Sequence, residues 1–266
     1  IRDLVRSRGL GDVYKRQPMN AIIGFSDLLE KHADDREKVV EYVGKIKSSS
    51  SFLLSLLNYV LEMARIESGE AELKPEVGCF KDLVNSLQAV FEPELHKKNL
   101  KYTCILNSDH PYVICDRTKV REILLNIVSN SIKYTPDGGS ISLSLWTEGD
   151  TYGFTVRDSG IGMSPEQLTR IFERFYQVDG QRKGTGIGLS LVKMLVEKHH
   201  GTITVASEPA QYTEFKVTLP ADMAAFTEKE RELPVHEVET SASLRELPVA
   251  DEYFSGDASA VVSEEK

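Results

Sequence analysis

The sequence predicts an α+β chain in which a helical hairpin is followed by a two-layer α/β sandwich. Three observations predict it. Apolar residues between positions 39 and 64 recur at alternating steps of four and three, the period of a packed helix. From position 81 to 219, helix-period and strand-period segments are mixed. Between these regimes, residues 68–78 hold two glycines and Pro75, the composition of a connection.

The chain has 266 residues, 41% of them hydrophobic, enough for one large or two modest cores. Wholly disordered, collagen-like and disulfide-scaffold classes are excluded. The longest apolar stretch, residues 52–64, is interrupted by Ser55, Asn58 and Glu62 and falls short of the ~20 residues of a membrane span. No charged-then-apolar leader follows Ile1, so no secretory signal is expected. Residues 221–266 carry twelve acids and four bases, a net of −8, which leaves −1 of the total −9 for residues 1–220. A near-neutral folded part does not offer a large basic footprint, so no nucleic acid partner is expected. Cys79, Cys104 and Cys115 are odd in number and lack CxxC spacing, which reads as small buried residues in a reducing compartment.

Residues 1–17 read as an irregular, non-native-looking arm, ended by Pro18. Residues 18–67 read as the hairpin. Its first helix carries Ile22, Ile23, Phe25, Leu28 and Leu29, and a polar turn at residues 32–36 follows. The second helix has a heptad seam of Val39, Val43, Ile46, Ser50, Leu53, Leu57, Val60 and Ala64, widened by Val40, Leu54 and Leu61. Such a stripe asks for a bundle: either two hairpins close a dimeric four-helix bundle, or the hairpin packs on its own downstream domain. Residues 68–78 read as a linker and 79–220 as the mixed domain. There, helices are expected at 81–97, 118–134 and 188–200, with strands at 101–106, 112–115, 140–146, 152–158, 202–206 and 213–219. Residues 221–266 repeat Arg-Glu-Leu-Pro-Val at Arg231 and Arg245, hold too little apolar content for a core, and read as an acidic disordered tail.

Four constellations carry chemistry. The helix from Thr118 places Val120, Ile123, Leu124, Ile127, Val128 and Ser131 on one face and Glu122, Asn126, Asn130 and Lys133 on the other. Amide oxygens in such a line suit a hard cation and Lys suits phosphate, but a solvated face has the same pattern. Asp158-Ser-Gly-Ile-Gly162 follows a strand; Gly160 and Gly162 permit close backbone approach to a ligand and Asp158 supplies an acceptor, while an ordinary Asx turn is the other reading. Ser164-Pro-Glu-Gln167 is a capping box, after which Leu168, Ile171, Phe172 and Phe175 line one face and suit core packing. Gly184-Thr-Gly-Ile-Gly188 opens a helix whose free N–H groups favour phosphate. No strand precedes it, so the dinucleotide fingerprint fails its context, and the protein-kinase and Walker motifs are absent. His199 and His200 stand at the carbonyl end of that helix.

In this order the motifs Asn126/Asn130/Lys133, Asp158 to Gly162, Phe172-Glu-Arg-Phe175 and Gly184 to Gly188 resemble the sensor histidine kinases of two-component signalling, over residues 18–220. The resemblance implies an ATP-binding domain of the gyrase/chaperone/histidine-kinase type behind a dimerisation and phosphoacceptor hairpin, whose exit is Met63-Ala-Arg-Ile-Glu67. It implies ATP and Mg²⁺ as ligands. Asn130 would bind the metal, Asn126 stand beside the phosphates, Lys133 reach them and Tyr134 lie along the nucleotide. Asp158 would bond the adenine amino group, with Gly160 and Gly162 lining the base. Gly184, Gly186 and Gly188 would close a lid on the phosphates, and Phe175, Thr185 and Leu189 complete the nucleotide set. In related ATPases a water-activating Glu precedes the metal-binding Asn by one turn. Asn126 occupies that place here, which suits transfer to a side chain better than hydrolysis.

The resemblance further implies γ-phosphoryl transfer to a His, then to an Asp of a response-regulator receiver that lies in trans or downstream of the tail, by a homodimer whose portion here is cytoplasmic. A missing N-terminal region is where a membrane anchor of the parent would lie, and the sequence here leaves that attachment open. Two departures qualify it. Ala210-Gln-Tyr-Thr-Glu-Phe215 stands where the family has Gly-x-Gly-Thr-x-Phe, a change expected to alter a strand turn more than the site. Counting back from Pro18 places Val13 at the acceptor His and Tyr14 at its acidic neighbour. No catalytic acceptor is therefore expected in this chain, and residues 1–17 read as a foreign junction. The rival readings are a non-catalytic dimeric ATP-binding signalling module and an ATPase.

Overall fold

Residues 2–68, 73–107, 112–178 and 186–221 are described by the computed structural model. Helices α1 (Arg2–Lys31) and α2 (Arg36–Glu67) form the hairpin. A mixed unit follows with β1 (Glu76–Cys79), α3 (Phe80–Lys97), β2 (Lys101–Asn107), β3 (Tyr112–Cys115), α4 (Arg117–Tyr134), β4 (Ser140–Glu148) and β5 (Thr151–Asp158). It is completed by α5 (Pro165–Leu168), α6 (Gly188–Lys198), β6 (Thr202–Glu208) and β7 (Tyr212–Pro220). Hairpin and mixed unit are separate compact units, divided after Ser68. The expected α+β class holds.

In the hairpin, Asp35 caps α2: its Oδ1 accepts from Lys38 N at 3.2 Å and its carbonyl from Val39 N at 2.9 Å, satisfying donors that the first turn leaves open. Phe25 of α1 stacks on Tyr42 of α2 with centroids 6.1 Å apart, and His32 meets the same ring edge-on at 5.9 Å. These rings fasten the closed end. Along the heptad seam Val39, Ile46 and Leu53 are half-buried, whereas Val43, Leu57 and Val60 stand exposed. Val40 and Leu61, which widen the stripe, are 62% and 58% exposed. One hairpin thus leaves most of its own apolar stripe uncovered.

Three expectations are corrected. Residues 1–17 are not an irregular arm closed by Pro18: α1 runs from Arg2 with Pro18 inside it. Leu and Arg, which recur there, are good helix formers, and an interior proline removes one donor and crowds the carbonyl four residues back, a cost that bends a helix without having to end it. The linker at 68–78 ends early, because β1 pairs antiparallel with β3, Glu76 opposite Cys115 and Cys79 opposite Tyr112. Of the three cysteines only Cys115 is buried; Cys79 is half-buried and Cys104 exposed, because Cys104 lies on the edge strand β2. The tail from residue 222 lies outside the described residues.

The main sheet has the order β2-β4-β5-β7-β6, with β2 parallel to β4 and every other pair antiparallel. Its inner face follows from strand alternation: Ile141, Leu143 and Leu145 of β4, Tyr152, Phe154 and Val156 of β5, and Phe215, Val217 and Leu219 of β7 are all buried. Helices α3, α4 and α6 cover that face. Asp158 continues the row of Tyr152, Phe154 and Val156, so the sheet delivers a carboxylate into the helix-covered core. Among the described residues no helix is long and apolar enough to cross a membrane.

Candidate functional site

Helix α4 is the hub of the site. Asp116 caps it, its Oδ1 accepting from Lys119 N at 3.0 Å and its Oδ2 from Lys74 N at 3.1 Å. The face expected to be apolar, Val120, Ile123, Leu124, Ile127, Val128 and Ser131, is buried as expected, joined by Leu125, Ser129 and Ile132. At the other end the Lys98 ammonium donates to the carbonyls of Ile132 (2.7 Å), Lys133 (3.3 Å) and Thr135 (2.5 Å). A cation on the last carbonyls of a helix satisfies them and complements its dipole. The turn carrying Lys133 and Tyr134 is fixed by it.

Asp158 meets this helix from the sheet. It is 4% exposed. Oδ2 accepts from Ser131 Oγ at 2.8 Å and Oδ1 from Gly160 N at 2.9 Å. Burial pushes its carboxyl above the usual range, and the bonds from Ser131 and from the backbone N–H groups of Gly160 and Thr213 pull it back. The loop after it is bound to the end of α4, since Ile161 N donates to Tyr134 O at 3.3 Å. A Cβ on residue 160 would lie 2.5 Å from Asp158 Oδ1 and 2.9 Å from Tyr134 O, which only glycine avoids. Gly162 has φ +62° and a Cβ there would run into Glu208 O.

Toward the middle of α4, Asn126 Nδ2 donates to Glu122 O at 2.8 Å, which leaves Oδ1 facing the start of α6: a Cβ on Gly188 would stand 2.7 Å from it. Asn130, one turn on, is half-buried, as is Leu189. Lys133 Nζ lies 4.7 Å from the Tyr134 ring centroid. Asn126 and Tyr134 are thus eight residues apart, about 12 Å along the axis. One end of this line has a buried acceptor, the other amide oxygens beside a helix N-terminus. Among the described residues no group of three His, Cys, Asp or Glu is placed to hold a metal. Two amide oxygens suit Mg²⁺, which retains waters and takes its other oxygens from phosphate.

Gly184 and Thr185 lie outside the described residues. Gly186, at φ +67°, packs against Phe175, where a Cβ would stand 2.7 Å from the Phe175 carbonyl carbon. Gly186 O accepts from Phe175 N at 2.8 Å, and Phe175 itself holds φ +64°. The glycine motif and the phenylalanine motif are thereby tied at one point. The altered turn at Ala210 lies between β6 and β7. Ala210 keeps a left-handed φ of +60°, at a cost of about 1 kcal/mol for a side chain, and its N–H donates to Ile161 O at 2.7 Å. The turn thus touches the Asp158 loop directly.

Two family models match the chain: the His Kinase A (phospho-acceptor) domain over residues 16–69, and the histidine kinase-, DNA gyrase B- and HSP90-like ATPase over residues 115–223. The chain belongs to the sensor histidine kinases. It is 34% identical over 214 residues to a sensor-like histidine kinase of Rhizobium meliloti, a match of 77% of this chain and 40% of that protein. Against the sensor protein GacS of Pseudomonas syringae the identity is 33%, covering 77% of this chain and 23% of that one. Both relatives are therefore much longer than the part this chain spans. Among solved structures, full-length ShkA in complex with AMPPNP superposes with a TM-score of 0.62 at 30% identity, over 81% of this chain and 45% of that one.

In this kinase core, the sequence reading missed Ser131 and Lys98. Ser131 was placed on the buried face only; a lone hydroxyl in an apolar stripe was the available signal. Lys98 carried none, because its partners lie 34 to 37 residues further on.

Proposed function

We propose that the mixed unit binds ATP with Mg²⁺ and positions its γ-phosphoryl group for transfer to a histidine, within a homodimer that passes the phosphoryl group to a response-regulator receiver domain. The observation that carries this reading is the meeting on one helix of a buried carboxylate acceptor, two amide oxygens and a helix N-terminus, spread along about 12 Å. AMPPNP in the related ShkA structure supports it.

Asp158 accepts from the adenine amino group, and the loop of Gly160 and Gly162 brings backbone against the base. Tyr134 lies along the nucleotide, with Phe175 and Leu189 completing the pocket. Lys133 and the N–H groups at the start of α6, with Gly184, Thr185, Gly186 and Gly188, hold the phosphates. Asn130 holds Mg²⁺, with Asn126 beside it; the bound ion supplies neutralisation of phosphate charge. In the transfer an imidazole nitrogen bonds to the γ-phosphorus and the bond to the β–γ bridging oxygen breaks, releasing ADP. Asn126 stands where a hydrolase places its Glu, so no carboxylate activates water there.

The hairpin's exposed row of Val43, Leu57 and Val60 is the surface that a second hairpin covers. Position 13 holds Val, so this chain presents no imidazole where the family has one. That observation favours a second reading, a dimeric module that binds ATP and signals its occupancy without labelling itself. Calorimetric titration with Mg²⁺-ATP tests the site: Asn130→Ala is expected to weaken binding by more than about tenfold through loss of a metal ligand. Equal affinity of the variant and the parent chain removes the assignment.

A further inference from the structure

Helix α4 carries two buried serines that behave differently. Ser129 Oγ donates to Asn126 O at 3.1 Å, the back-bond to its own helix that serine commonly makes. Ser131 Oγ leaves the helix and donates to Asp158 Oδ2 at 2.8 Å. Ser131 is 2% exposed, so water does not compete for this bond. Alanine would suit the helix interior better, and the surrounding apolar stripe has no other use for a hydroxyl.

The groups facing the Asp158 carboxylate come from every element around it. From α4 comes the Ser131 hydroxyl, from the following loop the Gly160 N–H, and from β7 the Thr213 N–H; among the described residues no charged side chain contributes. On β4 the residue in register is the apolar Ile141. Burial favours the neutral acid, and these three neutral donors favour the carboxylate, Ser131 foremost among them. The state of the group decides which base it recognises. An ionised carboxylate is acceptor-only and matches an exocyclic amino group, whereas the protonated acid has an O–H to offer a carbonyl.

We propose that Ser131 is a positioning residue that keeps Asp158 an acceptor-only carboxylate, and so makes the site select a 6-amino purine nucleotide over a 6-oxo one. This rests on the nucleotide reading above. Ser131 touches no substrate; it acts through Asp158.

The full chain and its Ser131→Ala and Ser131→Thr variants are titrated with Mg²⁺-ATP and Mg²⁺-ITP from about pH 5 to about pH 8; the two nucleotides differ at purine position 6. At the alkaline end Ser131→Ala is expected to bind ATP within about threefold of the parent chain. Toward the acid end it loses about tenfold more ATP affinity than the parent does, the loss of one hydrogen bond to a charged group. Its ATP-to-ITP ratio falls in step. Ser131→Thr keeps the hydroxyl and the parent's pH profile. Should thermal unfolding reveal that Thr does not fit, Ser131→Cys, a weaker donor, gives a profile between those of Ser and Ala. A Ser131→Ala profile that lowers both nucleotides equally at every pH, or matches the parent throughout, overturns the proposal. A parent chain that binds neither nucleotide overturns the nucleotide reading and this proposal together.

Discussion

At the scale of single residues the site sets stability against recognition, and Asp158 is where the two conflict. Its folded-state pKa is raised by burial, so the folded chain holds this proton more tightly than the unfolded chain does. Stability from this group is therefore complete below its ordinary value near 3.8 and declines as pH rises through the raised folded value, leaving a penalty at neutral pH. Asp158→Asn removes the charge while keeping the shape. Without nucleotide, its thermal midpoint at pH 7 is expected at or above that of the parent, with the difference narrowing in acid. Its ATP affinity falls by about tenfold or more, since an amide in place of the carboxylate weakens a charge-assisted bond and offers a donor to a donor. Unfolding curves at several pH values check the first outcome and titration the second; a variant clearly less stable at pH 7 contradicts this account.

At the scale of elements the hairpin and the sheet were legible for different reasons. The heptad spacing of α2 announced its stripe, and the alternation in β4, β5 and β7 announced the inner face, because burial imposes its period directly on residue type. The short β1 was hidden, since four residues that follow Pro75 and include Gly78 carry no readable period and are held as a strand by β3, from across the sequence. The helical course of α1 before Pro18 was hidden because glycines and a proline argue locally against what the run of Leu, Arg and Lys supports. At the site, each motif was readable in isolation only as weak, and their meeting on α4 is a tertiary fact. Ser131 and Lys98 escaped because both act on partners distant in the chain. The exposed row on α2 yields a prediction at this scale. Leu57 is exposed in the single chain, so Leu57→Glu is expected to leave helix content unchanged by circular dichroism. In a dimer it places two unpaired charges in the seam and weakens association roughly 100-fold. Sedimentation at tens of micromolar distinguishes the two; a parent chain that is already monomeric there removes the dimer.

At the scale of the whole molecule, the proposed nucleotide site and position 13 belong to separate units, and position 13 holds Val. Correct binding of ATP cannot replace a missing nucleophile. Position 13 lies within α1, so the backbone there is helical; what the position lacks is an imidazole. His32 is no substitute, because it sits in the hairpin turn with Nδ1 2.9 Å from Leu28 O and its ring against Tyr42. The parent chain is therefore expected to bind ATP without labelling itself from γ-labelled ATP. Replacing residues 13–17 by His-Glu-Leu-Arg-Thr, through Val13→His, Tyr14→Glu, Lys15→Leu and Gln17→Thr with Arg16 retained, keeps residues compatible with the helix and adds a nucleophile. That variant is expected to acquire acid-labile, alkali-stable phosphate, and Asn130→Ala in the same background to abolish it. Labelling of the unaltered chain at a histidine elsewhere would show that the acceptor does not lie at position 13. Labelling of neither chain, with ATP bound normally, would favour the module that signals occupancy without phosphoryl transfer.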